Sequence, residues 1–132
     1  MKPSTLMIIA GINGFLATGL AAMGTHVFTM DNHSVSLYQQ ASHFHFIHTT
    51  MLIICAVCAH IFAHQSTVRW VGRAAIFFII GMACFSGSLY WRAIMGPGSL
   101  GNYHWVTPLG GLALMGGWLT LVQAFYLFKT KI

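Results

Sequence analysis

Apolar residues dominate four long stretches of the chain, at about 5–27, 44–63, 71–95 and 106–128. Each is long enough for the roughly 20 helical residues that cross a hydrocarbon core. No period-2 alternation competes with this pattern, and in lipid a helix satisfies its own backbone whereas an open strand does not. The breaks carry loop formers: Asp31-Asn32, then His64-Gln65-Ser66-Thr67, then Gly96-Pro97-Gly98. Thr107 before Pro108 reads as a cap followed by proline at the first helical position. The first stretch is read as a retained span rather than a cleaved signal. The expectation is one all-α domain over 1–132, an integral membrane four-helix bundle with short loops.

Composition points the same way. Hydrophobic residues make up 57% of the 132 and charged ones 5%, against about 25% charged in a soluble domain. A chain this short has too much surface to hide that deficit in a core. Lipid is therefore the expected solvent and partner. The net charge of +5 does not imply nucleic acid, because the basic residues form no patch. Instead, Lys2, Arg69, Arg73, Lys129 and Lys131 all fall on one side of a chain that crosses four times. Asp31 and Arg92 fall on the other. The excess of basic residues in cytoplasmic loops then puts both termini in the cytoplasm.

The candidate chemistry is histidine. HFHFIHTT sets His43, His45 and His48 at the entry of the second stretch, where polar side chains need partners or a purpose. His45 and His48 are about 4.5 Å apart along a helix axis and on nearly one face; His43 points elsewhere, towards headgroups. His48 is expected inside the bundle near His26 and the Ser86–Ser88 segment, with His45 one turn nearer the surface. Two readings stay open. The imidazoles hydrogen-bond between helices and hold a structural or assembly subunit together, or His26, His45 and His48 converge on a transition metal ion or haem. Met23, His26 and Met30, sharing a face, would suit copper. Ser86, Ser88 and Thr107 are supporting polar groups at similar depth. Cys55 and Cys58 read as packing residues. Gly87, Gly110, Gly111 and Gly117 are expected to let helices approach closely, Gly87 with Ala83 and Gly117 with Ala113 at spacings of four. With one acidic residue in the chain and no nucleophile–base pair, enzyme chemistry is the weakest reading.

Gly24-Thr25-His26, His45-x-x-His48, Phe85-Ser-Gly-Ser-Leu-Tyr90, Thr107-Pro-Leu-Gly-Gly111 and Gly117-Trp118 occur in order along the chain. Together they resemble the family called domain of unknown function 423, small bacterial inner-membrane proteins with transmembrane relatives in mitochondria. The resemblance spans nearly the whole chain, and maps His26 and His48 onto histidines of the family pattern. It implies four spans in a bacterial inner (plasma) membrane; a homo-oligomer or a larger membrane complex is expected separately, as partners for the helix faces. It implies no established activity.

Overall fold

The computed structural model describes residues 1–63 and 66–129, with side chains up to Leu127. His64, Gln65 and Lys131, named above, lie outside the described residues, as does the Lys129 side chain. Among the described residues four helices follow one another: α1 Pro3–His26, α2 Asn32–Ile61, α3 Thr67–Met95 and α4 Val106–Lys129. A single 3-10 turn, Gly101–Tyr103, precedes α4. No strand occurs among the described residues. All four helices are long and apolar enough to cross a membrane.

Local chemistry sets the ends. Pro3 opens α1, where its missing N–H is no loss. Asp31 caps α2 by accepting a hydrogen bond from the Ser34 N–H at 2.8 Å. That bond holds the Asp31 carboxyl below the usual carboxylate range. The cap is therefore in place at neutral pH and is lost as the pH falls through the lowered value. It also starts α2 at Asn32, about twelve residues before the apolar run. The intervening VSLYQQASH is too polar to read as a span, yet a capped helix does not need lipophilic side chains to propagate. At the other side, α3 stops at Gly96, whose φ of 111° is left-handed territory open to glycine. Thr107 does not cap α4, which has already begun at Val106; its hydroxyl is used elsewhere.

Packing follows chain order: α1 lies on α2, α2 on α3 and α3 on α4. The inner pair is accordingly the most enclosed. Half of the most apolar stretch of α3 is buried but only 17% of that of α1. Large apolar side chains such as Phe15, Leu119 and Val122 point outward, as a lipid-facing surface requires.

The α3–α4 contact is a regular seam. Side chains at 78, 81, 85 and 88 of α3 meet 117, 114, 110 and 107 of α4, a three-four-three spacing on both helices. A methyl on Gly81 would collide with Leu114, one on Gly117 with the Phe78 ring, and one on Gly110 with the α3 backbone at Phe85. Gly111 faces the Phe85 ring, 3.5 Å from where its Cβ would be. Ser88 and Thr107 close the top through hydroxyls 2.7 Å apart. Large residues thus enter glycine-lined holes in alternation. Gly87 is not among them, contrary to expectation: it is exposed, and a Cβ there meets nothing within 4 Å. One residue on a helix is about 100° of rotation, so the seam at Ser88 leaves Gly87 facing away.

Candidate functional site

Two buried imidazoles on α2 have different fates. His48 Nδ1 donates to the Phe44 carbonyl at 2.8 Å. A carbonyl only accepts, so Nδ1 carries the proton and Nε2 is free to accept. It does so from the Trp118 indole N–H of α4, at 3.2 Å. Phe78 stands 5.4 Å away, ring to ring, and Phe44 stacks at 5.8 Å. Both nitrogens of His48 are spent inside the bundle.

His45 is oppositely arranged. Asn13 of α1 donates its amide N–H to the Ile9 carbonyl at 2.9 Å, which leaves its Oδ1 turned to His45 Nε2 at 3.3 Å. Nε2 therefore bears the proton, and Nδ1 presents a bare lone pair. That Nδ1 is buried and has no partner, as are the Ser86 and Tyr90 hydroxyls of α3. The Ser42 side chain comes close to hydrogen-bonding range of the Tyr90 hydroxyl, although no bond within 3.5 Å closes. All three residues are at least nine-tenths buried and line one groove of about 240 Å³ between α1, α2 and α3. A buried polar atom left unpaired costs about 1–3 kcal/mol, so three on residues of one groove call for a reason.

The groove runs from mid-helix, with Asn13 about 15 Å along the 36 Å of α1, towards the end of the bundle at which α1 and α3 stop, with Tyr90 five residues before Met95. A Cβ on Gly14 would sit 3.8 Å from the Thr49 methyl, which fixes the α1–α2 register beside His48. His26, twelve residues further along α1, is then about 18 Å away by helical rise. It is exposed, and its side chain makes no hydrogen bond to the described residues. The convergence of His26, His45 and His48 does not form. Among the described residues, no three of His, Cys, Asp or Glu come together.

The cause is geometric: residues three apart differ by about 60° in direction. Because α2 is an inner helix, that angle sends His45 towards α1 and His48 towards α4. Likewise, Ser86 faces the groove whereas Ser88 donates to the Phe85 carbonyl and meets Thr107 in the seam. His43 is exposed. Helix α1 ends at His26, so Met30 is in the loop, packed near Tyr38, and no Met–His–Met face exists. Cys55 is a buried free thiol in the core.

Three site residues escaped the sequence reading: Asn13, Tyr90 and Trp118. The signal for Asn13 was available, an amide in an apolar run with no cap to make. The two aromatics resemble ordinary core or belt residues until the helices are placed.

Comparison with known proteins places this geometry in a group. Residues 20–111 match the family model described as "Protein of unknown function (DUF423)". The inner membrane protein YgdD of Escherichia coli K12 is 33% identical over 99% of this chain and 96% of its own length. The membrane protein YwdK of Bacillus subtilis 168 is 32% identical over 89% and 93%. A Staphylococcus aureus membrane protein, SAB0533, is 28% identical over 92% and 95%. No solved structure matches the chain.

Proposed function

The chain belongs to the DUF423 family of membrane proteins, whose function is unknown, and we propose that it is a small binding protein of the inner membrane. Its working element on this reading is the groove between α1, α2 and α3. The observation that carries it is that three residues lining it, His45, Ser86 and Tyr90, each hold a buried polar atom with no hydrogen-bond partner. Elsewhere the bundle pairs its buried polar side chains, as at His48–Trp118 and Ser88–Thr107. A donor set of one imidazole nitrogen and two hydroxyls suits hydrogen bonding to a polar group. It suits a transition metal poorly, since such ions are held by several imidazole, thiolate or carboxylate donors.

Native mass spectrometry of gently extracted protein tests the reading. Wild type should carry a bound small molecule that His45→Phe and Gly87→Leu lose, while both variants stay folded. Bare chain in all three samples would refute it. For orientation, the reading keeps both termini cytoplasmic, from Lys2, Arg69 and Arg73 on one end. A cysteine at Asn32 should then react with an impermeant thiol reagent in intact cells; reaction only after permeabilisation reverses the assignment.

A further inference from the structure

A second polar feature lies in the loop that joins α3 to α4, and it stands or falls independently of the groove. We propose that this loop forms a site for the phosphate of an anionic membrane lipid, with Arg92 as its principal ligand.

The loop is held by its own backbone. Ser99 N–H donates to the Gly96 carbonyl at 3.1 Å, Gly101 to Gly98 at 3.1 Å, and Tyr103 to Leu100 at 2.9 Å. Gly96 and Gly101, at φ of 111° and 52°, make the left-handed bends of this path. The loop encloses a cavity of about 280 Å³ lined by Arg92, Pro97, Gly98, Leu100, Gly101 and His104. Two side chains carry its chemistry. Arg92 donates from Nε to the Pro97 carbonyl at 3.0 Å. That bond holds the guanidinium and leaves its four terminal N–H groups without a partner among the described residues. His104 Nδ1 donates to the Gly101 carbonyl at 3.2 Å, so this ring too is tethered to the loop.

The electrostatics ask for an anion. No Asp or Glu lines the cavity, and the one acidic residue of the chain, Asp31, caps α2. Among the described residues Arg92 makes no ion pair. Lys2, Arg69 and Arg73 flank the other end of the bundle, so Arg92 is the basic residue of this end. Its terminal nitrogens form a fork that matches two oxygens of one phosphate.

Depth selects the source of that phosphate. Helix α3 has 29 residues, about 43 Å by helical rise, against a hydrocarbon core of about 30 Å. Arg92 is three residues from its end. Trp91, Tyr103 and Trp105 beside the cavity in sequence are all exposed, as in the aromatic belts that sit at headgroup level. The abundant anion at that level is the phospholipid phosphate. An ammonium on the same head, as in a choline lipid, would meet the Arg92 charge with no carboxylate in the lining to receive it. The favoured class is therefore a phosphodiester with an uncharged head, such as a glycerol. The cavity is just below the roughly 300–1,000 Å³ of sites that enclose whole ligands, which suits a headgroup whose chains stay in the bilayer.

The test uses the full-length protein in phosphatidylcholine vesicles that contain a minor amount of a probe lipid. The probe carries a diazirine in its headgroup and is either a phosphatidylglycerol or a phosphatidylcholine. On illumination, the glycerol probe should label the peptide 91–105 roughly tenfold more than the choline probe, the preference that one charge-assisted hydrogen bond confers. Arg92→Gln, checked for unchanged helicity and melting, should erase that preference while labelling near Lys2 and Arg69 stays as in wild type. Arg92→Lys keeps the charge but loses the fork and the Nε donor, and should keep less than half of the preference. Excess inorganic phosphate in the buffer should change nothing. Equal labelling by the two probes in wild type overturns the inference. Full preference in Arg92→Lys overturns it as well, because an interfacial charge without a shaped site would then suffice. Loss of the preference on adding inorganic phosphate would assign the site to soluble phosphate and refute the lipid.

Discussion

The α3–α4 seam and the α1 side of the bundle use similar residues to opposite ends. In the seam, glycines oppose Phe78, Leu114 and the Phe85 backbone, and the hydroxyls of Ser88 and Thr107 find each other. On the α1 side, Tyr38 closes on Gly24 and donates to the Leu20 carbonyl, and Asn13 bridges to His45, yet three buried polar atoms on residues lining the groove remain unpartnered. Lipid tails are as apolar as leucine, so close fit and hydrogen bonds, not exclusion from water, hold membrane helices together. A region with that fit is structural. A region without it, yet lined with polar groups, is completed by something else. The two histidines of α2 divide along the same line, His48 spent and His45 available.

The largest expected effect contrasts two glycines of the same segment pair. Gly110→Leu would drive a side chain into the α3 backbone at Phe85, which cannot swing aside. It should lose about 3 kcal/mol of stability in detergent unfolding, the upper end of overpacking costs. Gly87→Leu should change stability by less than about 0.5 kcal/mol, as an exposed position does. Similar losses for the two would erase the distinction between seam and groove.

A smaller contrast lies in the buried aromatics. Trp118→Phe strands the His48 Nε2 acceptor inside the bundle and should lose about 1–3 kcal/mol. Tyr90→Phe removes a hydroxyl that has no partner, so the ligand-free protein should melt at the same temperature or slightly higher. A clear drop for Tyr90→Phe would mean that its hydroxyl is already satisfied within the protein.

The smallest concerns the two serines. Ser88→Ala deletes an interhelical hydrogen bond and should cost about 0.6 kcal/mol, the average found for such bonds in membranes. Ser86→Ala, in protein stripped of bound molecules, should cost nothing measurable. Thermal melts of the two variants side by side decide it, and the reverse order would place the seam at Ser86.

Four spans were legible in the chain because hydrocarbon thickness fixes a length and apolar side chains mark it. The start of α2 was not, since Asp31 and Ser34 set it by capping, which hydropathy does not register. The histidines were visible as candidates, but their pairing was hidden. Whether i and i+3 converge depends on how many neighbours surround the helix, and α2 meets α1, α3 and, at Trp118, α4. Glycine spacing misled for a related reason. Ala83 and Gly87 have the same four-residue interval as a contact stripe, yet contact depends on what stands opposite. At Gly81 and Gly110 something large stands opposite; at Gly87 nothing does.

The division between the two imidazoles is open to direct measurement by nitrogen-15 solid-state NMR of labelled protein in bilayers. His48 should show a protonated Nδ1 and a bare Nε2, and His45 the reverse. Trp118→Phe should move the His48 Nε2 resonance and leave His45 in place. Gly87→Leu and Ser86→Val should move only the His45 resonances, since His45 lines the groove with both residues. A proton found on His45 Nδ1, or a response of His48 rather than His45 to the groove variants, would contradict the assignment of the site.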